Sequence, residues 1–122
     1  GLERVLEDLD RLGLVLGVAS NFDSRLRAVR AGFPCLNRIR HWVISSEVGW
    51  RKPAGRFYDH LVRESGLPAH MILLVGDDPV NDLEAPVRAG LQGHLVRSSE
   101  CLPGLVERLS RAVRIPARGT VA

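Results

Sequence analysis

The sequence lacks long apolar runs, and none of its hydrophobic stretches approaches the roughly 20 residues that a membrane-spanning helix requires. It also shows no basic segment followed by an apolar stretch, which is the pattern of a secretory signal. Cysteine is scarce, because Cys35 and Cys101 stand alone, far apart and without companions at metal-ligand spacing. These absences exclude a membrane protein and a disulfide framework, and they favour an intracellular, cytoplasmic protein with reduced thiols.

Aromatic residues and lysine are also scarce. With 5% aromatic residues the chain offers no stacking platform for bases, and its net charge of +3 comes from scattered arginines. A C-terminal set alternates with apolar residues, as on a solvated helix face: Arg108, Arg111, Arg114 and Arg118. We therefore expect no nucleic-acid partner. Lys52 is the only lysine among 17 basic residues, so a primary amine on a side chain occurs at a single place.

What is present is ordinary for one soluble domain spanning residues 1–122, with 45% hydrophobic and 25% charged residues. Helical periodicity marks residues 2–12, 23–31 and 54–65, and a further helix is expected from Asp82 to the stop at Gly90. Short apolar runs predict strands at residues 14–19, 41–44, 71–75 and 93–96. This alternation predicts an α/β fold with a parallel sheet and right-handed crossovers.

Polar residues follow the first predicted strand at Ser20 and Asn21. Ligands of parallel sheets bind beyond the carboxyl ends of the strands, and a helix beginning here would favour an anion. Ser20 offers a hydroxyl, and Asn21 offers an amide and a backbone N–H. The structural alternative is that Asn21 and Asp23 simply cap the next helix.

An acidic loop follows the third predicted strand and contains Asp77, Asp78, Asn81 and Asp82. Oxygen ligands suit a hard cation such as Mg²⁺, which keeps several waters and needs only one or two carboxylates beside a substrate phosphate. The alternative is an Asp-Pro turn followed by an N-cap at Asp82. Three acids so close repel one another, which favours a cation site over two turns.

Lys52 lies in the loop of residues 49–53, directly before Pro53. The proline disfavours helical geometry at Lys52, so the lysine is held in an extended loop. From there its ammonium group could meet the carboxylates and a bound phosphate. The alternative is an exposed loop lysine.

Together these segments resemble three of the four signature segments of the haloacid dehalogenase (HAD) superfamily. The segment Val18-Ala19-Ser20-Asn21-Phe22 resembles the second signature, and Lys52-Pro53 resembles the third. The fourth signature is matched by Gly76-Asp77-Asp78-Pro79-Val80-Asn81-Asp82. Residues 2–13 resemble the helix that returns from the cap domain to the core. The resemblance implies a three-layer, Rossmann-like core with a parallel sheet, present in part because the central first strand and the cap are missing.

The resemblance also implies a role for each residue. Ser20 and Asn21 would hold the phosphate of a small phosphorylated substrate, and Lys52 would hold that phosphate and the nucleophile together. Asp77 would ligate Mg²⁺, with Asp78 beside it, and Asp82 would support the metal or Lys52 from behind. Ser20, Lys52 and Asp77 should therefore converge at one edge of the sheet. Five apolar residues should be buried beneath them: Leu14, Leu16, Val18, Leu73 and Val75.

Two departures from the family pattern stand out. The first signature, an apolar strand ending in Asp-x-Asp, has no counterpart, because Asp8 and Asp10 lie within the periodic helix and resemble surface carboxylates. Members commonly carry Gly-Ala after the acidic loop, whereas this chain has Glu84-Ala85-Pro86. With Asp82 as N-cap, Pro86 falls just beyond the tolerated first turn, so we expect a local distortion.

These observations favour the C-terminal part of a Mg²⁺-dependent, phosphatase-like hydrolase that supplies phosphate- and metal-binding groups but not the nucleophile. A catalytically inactive binding or scaffold protein with the same fold is one alternative. A receiver-like signalling domain is another, although there the acidic cluster should precede the hydroxyl and the lysine. Substrate identity is not readable, because in this superfamily the cap selects the substrate.

Overall fold

Five parallel strands form one sheet in the computed structural model, which describes residues 2–22, 25–98, 101–112 and 120–121. The strands are β1 (Val15–Ser20), β2 (Ile39–Ile44), β3 (Ile72–Gly76), β4 (Gln92–Leu95) and β5 (Thr120–Val121). Their order across the sheet is β2-β1-β5-β3-β4, and every neighbouring pair is parallel. The α/β fold with a parallel sheet is confirmed.

One helix precedes the first strand and the others lie in the connections between strands, which are crossovers because neighbouring strands are parallel. The helices are α1 (Leu2–Arg11), α2 (Arg25–Ala31), α3 (Ser45–Val48), α4 (Gly55–Ser65), α5 (Ala85–Arg88) and α6 (Leu102–Ala112). Single 3₁₀ turns span Pro34–Arg38 and Ala69–Met71, and a π-helical turn spans Val80–Glu84. None of the helices in the described ranges has the length and apolar character needed to cross a membrane.

Two apolar clusters, one on each face of the sheet, give the molecule three layers. Trp42 and Val43 are neighbours in β2, yet they belong to different clusters, because successive strand residues point to opposite faces. The first cluster joins the sheet to α4 and α5 through Phe57, Tyr58 and other residues. The second joins it to α1 and α6, and its members include Val5, Leu6, Leu9 and Leu16.

The centre of the sheet, where the resemblance implies a missing strand, is partly filled. Thr120 and Val121 lie between β1 and β3 and pair with the first two residues of each. Beyond these two rungs the facing edges of β1 and β3 have no partner strand among the described residues. A cavity of about 230 Å³ with apolar walls opens there, and Val18 and Val75 line it.

Burial of the strand residues follows from this partly filled centre. Leu14 and Leu16 are buried as expected. Val18, Leu73 and Val75 are only half-buried, so the expected burial is wrong for these three. For Val18 and Val75 the physical reason is the cavity, since a strand two residues long does not reach beside them.

The expected helix start at Asp82 is also wrong. Asp78 is the capping residue, because its Oδ1 accepts hydrogen bonds from the backbone N–H groups of Val80, at 2.9 Å, and Asn81, at 2.8 Å. Asp82 lies inside the π-helical turn instead, and it is buried. The distortion expected near Pro86 is present as this turn, which gives way to α5 at Ala85. Asp23, the other expected cap, lies outside the described residues.

Candidate active site

The polar residues singled out by the sequence lie at the carboxyl-terminal edge of the sheet. Ser20 is the last residue of β1 and Asn21 follows it, while Asp77 and Asp78 follow β3. Since all the strands are parallel, these loops leave the same edge. Lys52 reaches them from the loop between α3 and α4.

An ion pair between Lys52 and Asp82 joins two of the three segments. The Nζ of Lys52 lies 2.7 Å from Oδ1 of Asp82, and the side chains are 12% and 8% exposed, respectively. Charges removed from water to this extent are stable only when they are paired and hydrogen-bonded. The other oxygen of Asp82, Oδ2, accepts the backbone N–H of Asp78 at 3.0 Å. The carboxylate is thus fixed from two directions.

Gly76 makes room for that carboxylate. A Cβ atom built on Gly76 would lie 2.1 Å from Oδ2 and 2.3 Å from Cγ of Asp82. Both distances are far below van der Waals contact, so no side chain fits at this position while Asp82 faces Lys52. The glycine at the end of β3 therefore sets where the acidic turn folds back over the strand.

Asn21 joins the remaining segment to Lys52. Its Nδ2 donates to the backbone carbonyl of Lys52 at 2.9 Å, and its Oδ1 accepts the backbone N–H of Lys52 at 2.7 Å. The amide thus pairs with both backbone groups of Lys52 as a neighbouring strand would, and the Lys52–Pro53 peptide bond is cis. Asn21, Lys52 and Asp82 are therefore linked through contacts that run across the edge.

The three acids of the loop have different surroundings. Asp78 caps the turn and Asp82 pairs with Lys52, whereas Asp77 is exposed and its side chain has no hydrogen bond or ion pair within the described ranges. The hydroxyl of Ser20, which is half-buried, is likewise without a described partner. Across the described residues, no three His, Cys, Asp or Glu side chains gather into a metal-binding group.

Residues 49–118, which include Lys52 and the whole acidic loop, match the HAD-hydrolase-like family. The match covers more than half of the chain. The chain belongs to the HAD-like hydrolase family. Within the family, the sequence resembles the group named haloacid dehalogenase-like hydrolase domain-containing protein 3.

Curated proteins of that name are similar to this HAD-like hydrolase over most of its length. The human protein is 29% identical over 106 residues, which is 87% of this chain and 42% of the human protein. The zebrafish (Danio rerio) protein is 30% identical over 95 residues, or 78% of this chain and 39% of the relative. The Xenopus laevis protein is 33% identical over 97 residues, or 79% and 39%. The chain thus spans less than half the length of these relatives.

Asp8 and Asp10 lie away from this edge, on α1. Asp8 is in contact with Arg4 at 3.3 Å and Arg11 at 3.6 Å, and Asp10 pairs with Arg38 at 2.7 Å. They are the surface carboxylates that the helical period indicates. Of the C-terminal arginines, Arg108 and Arg111 are exposed on α6, and Arg114 and Arg118 lie outside the described residues.

Tyr58 is a residue at the site that sequence reasoning missed. It is fully buried on α4, and its hydroxyl donates a hydrogen bond to the backbone carbonyl of Asn81, beside Asp82. Burial raises the pKa of the phenol, and the negative charges of Asp82 and Asp78 raise it further. The one feature that distinguishes Tyr58 in the sequence is that it is the only tyrosine of the chain. Nothing in the sequence linked it to the acidic loop.

Proposed function

We propose that this chain is part of the core domain of a Mg²⁺-dependent, phosphatase-like hydrolase and supplies its phosphate- and metal-binding groups. The observation that carries the proposal is the enclosed Lys52–Asp82 pair, which Asn21 ties to the end of β1. Asp82 fixes the ammonium group of the only lysine at the sheet edge where ligands of this fold bind. A fixed positive charge there suits a phosphate group.

Ser20 and Asn21 would hold the phosphate together with Lys52. The Ser20 hydroxyl has no described partner and can donate to a phosphate oxygen. The Asn21 amide is already paired with the backbone of Lys52, so its part in the site is to hold the lysine loop, and its contribution to binding would come from the backbone N–H. Two neighbouring donors and one cation are a common arrangement for a phosphate.

The acidic loop fits Mg²⁺ through its oxygen donors. Asp77 is the carboxylate without a described partner, and Asp78 has one oxygen in the cap. Mg²⁺ needs few protein ligands when substrate and water supply the rest, which agrees with the lack of a three-residue group among the described residues. Asp77 would hold the ion with Asp78 and Asp82 close behind, and the bound ion would neutralise charge on the phosphate.

The covalent step requires groups that these residues do not offer. In the proposed function an aspartate nucleophile and its acid partner come from a segment outside residues 1–122, while Lys52 and Ser20 orient and neutralise the phosphate. The substrate would be a small phosphorylated molecule in the cytoplasm, with neither nucleic acid nor membrane as partner. The chain alone is then expected to bind phosphate without turning it over.

Hydrolysis of a generic aryl phosphate in the presence of Mg²⁺ tests this function. We expect no turnover by the 122-residue chain, and turnover by a longer form that carries the upstream strand with Asp-x-Asp and the cap. In that longer form Asp77→Asn should lower activity and weaken the dependence on Mg²⁺. Arg111→Gln, an exposed position on α6, serves as the control and should leave both unchanged.

Two results would contradict the proposal. Turnover by the 122-residue chain that is lost on Asp10→Asn would place the nucleophile on α1. A longer form that carries Asp-x-Asp, folds and shows no turnover would instead favour the catalytically inactive binding or scaffold protein. No contact among the described residues favours the receiver-like alternative.

A further inference from the structure

The π-helical turn leaves one backbone carbonyl without its expected donor. Its hydrogen bonds run between residues five apart: the N–H of Glu84 donates to the Pro79 carbonyl at 3.0 Å, and that of Ala85 donates to the Val80 carbonyl. The next bond in this series would run from residue 86 to the carbonyl of Asn81. Residue 86 is a proline, which has no N–H to donate.

The Tyr58 hydroxyl occupies the place of that missing donor. It donates to the Asn81 carbonyl from α4, and both Tyr58 and Pro86 are among the fully buried side chains of the molecule. A buried carbonyl without a partner is destabilising, so the turn is stable in this form only if another group supplies the bond. The Tyr58 ring is held in place by the edge of Phe57, with centroids 5.6 Å apart and planes at 84°.

The hydrogen bond from Tyr58 to the Asn81 carbonyl lies directly beside the Lys52–Asp82 pair. Asn81 precedes Asp82, so fixing the Asn81 carbonyl fixes the peptide from which the Asp82 side chain extends toward Lys52. Tyr58 and Lys52 are also connected, because α4 begins three residues after Lys52. One helix thus holds the acidic turn at two points, through the lysine before it and through the tyrosine in its first turns.

We propose that Tyr58 is a positioning residue whose hydroxyl replaces the backbone N–H that Pro86 lacks, and so holds Asp82 against Lys52. The inference deepens the proposed function and rests on it only for the purpose of the Lys52–Asp82 pair. The described hydrogen bond of Tyr58 is to the turn and not to Ser20, Asn21 or Lys52. Its effect on the site passes entirely through the turn.

A double-mutant cycle of Tyr58→Phe and Pro86→Ala tests the proposal on the 122-residue chain. Because Lys52 is the only lysine, nitrogen-15 NMR shows its side-chain ammonium as one signal, and the exchange of its protons with water reports how well Asp82 covers it. Tyr58→Phe should speed this exchange about tenfold, as expected for loss of a buried hydrogen-bond partner. In the Pro86→Ala background, where residue 86 again has an N–H, the same substitution should change it less than about twofold.

Leu61→Val is the matched control, since Leu61 is fully buried on the same helix and has no hydrogen bond to the turn. It should lower the melting temperature without changing the exchange of the Lys52 protons. If Tyr58→Phe alone fails to fold, the comparison of Pro86→Ala with the double variant still decides the matter. A double variant that folds supports the proposal, and one that also fails to fold contradicts it.

Equal effects of Tyr58→Phe in both backgrounds would overturn the pairing of Tyr58 with Pro86. Unchanged exchange in Tyr58→Phe would overturn its positioning role. Neither result depends on turnover, so a longer form without phosphatase activity would refute the proposed function while leaving the cycle intact. The two failures are therefore distinguishable.

Discussion

At the scale of single residues, the ion pair between Lys52 and Asp82 is the feature on which the site depends. A pair this enclosed contributes little net stability, because desolvation of both charges offsets their attraction. Its value lies in fixing geometry, since either group left alone would be an uncompensated buried charge. The sequence indicated both residues, but the distance between them and the extent of their burial can be seen only in the folded structure.

Gly76 allows a sharp test of that geometry. Gly76→Ala places a Cβ 2.1 Å from Oδ2 of Asp82, so the carboxylate must move and its bond to Lys52 must weaken. We expect a loss of about 1–3 kcal/mol in the free energy of unfolding, measured by urea denaturation. Gly104→Ala is the control, because a Cβ there meets nothing within 4 Å on α6, and it should stabilise the chain by about 0.5–1 kcal/mol. Equal effects of the two substitutions would contradict the assigned packing.

At the scale of elements, the strands could be predicted from the sequence because buried parallel strands are short apolar runs. Polar residues directly after β1 and β3 then indicated the edge where a site would lie. Local pattern could not decide which acid caps the turn after β3, since Asp78 and Asp82 are both suitable N-cap residues. Tertiary contact decided it, because Lys52 holds Asp82 and leaves Asp78 to the backbone N–H groups.

The strand at Thr120–Val121 could not be predicted either. Two residues carry no recognisable period, and their pairing with Val15 and Ile72 depends on the gap between β1 and β3. The half-burial of Val18 and Val75 has the same origin, because their exposure is set by what fills that gap. The sequence missed the strand at Thr120–Val121 and overestimated the burial of the two valines, because both features depend on long-range packing and not on the local pattern.

Truncating a side chain in the apolar core should lower the free energy of unfolding more than truncating an exposed side chain. Leu74, on β3, is 1% exposed, whereas Leu95, at the end of β4, is 40% exposed. Leu74→Ala should lower the free energy of unfolding by about 2–5 kcal/mol, because it removes buried methyl groups and leaves a cavity. Leu95→Ala, the matched control on the neighbouring strand, should cost well under half as much in the same urea titration. A smaller loss at Leu74 than at Leu95 would refute the described core.

At the scale of the whole molecule, the account holds that loops distant in sequence form one phosphate-binding edge. Asn21 links the end of β1 to Lys52, and Lys52 links in turn to Asp82 above the end of β3. Family membership supports this arrangement, and the contacts give it a physical basis in this chain. The ligand we propose for this edge is a phosphate group.

An NMR titration of the 122-residue chain with inorganic phosphate in the presence of Mg²⁺ tests that claim most directly. The backbone signals of Ser20, Asn21 and Asp77 and the ammonium signal of Lys52 should shift together along one binding curve. Lys52→Met should abolish those shifts, because it removes the ammonium group that Asp82 holds at the edge. Shifts confined to arginines elsewhere on the surface, or binding at the edge that Lys52→Met leaves unchanged, would contradict the account.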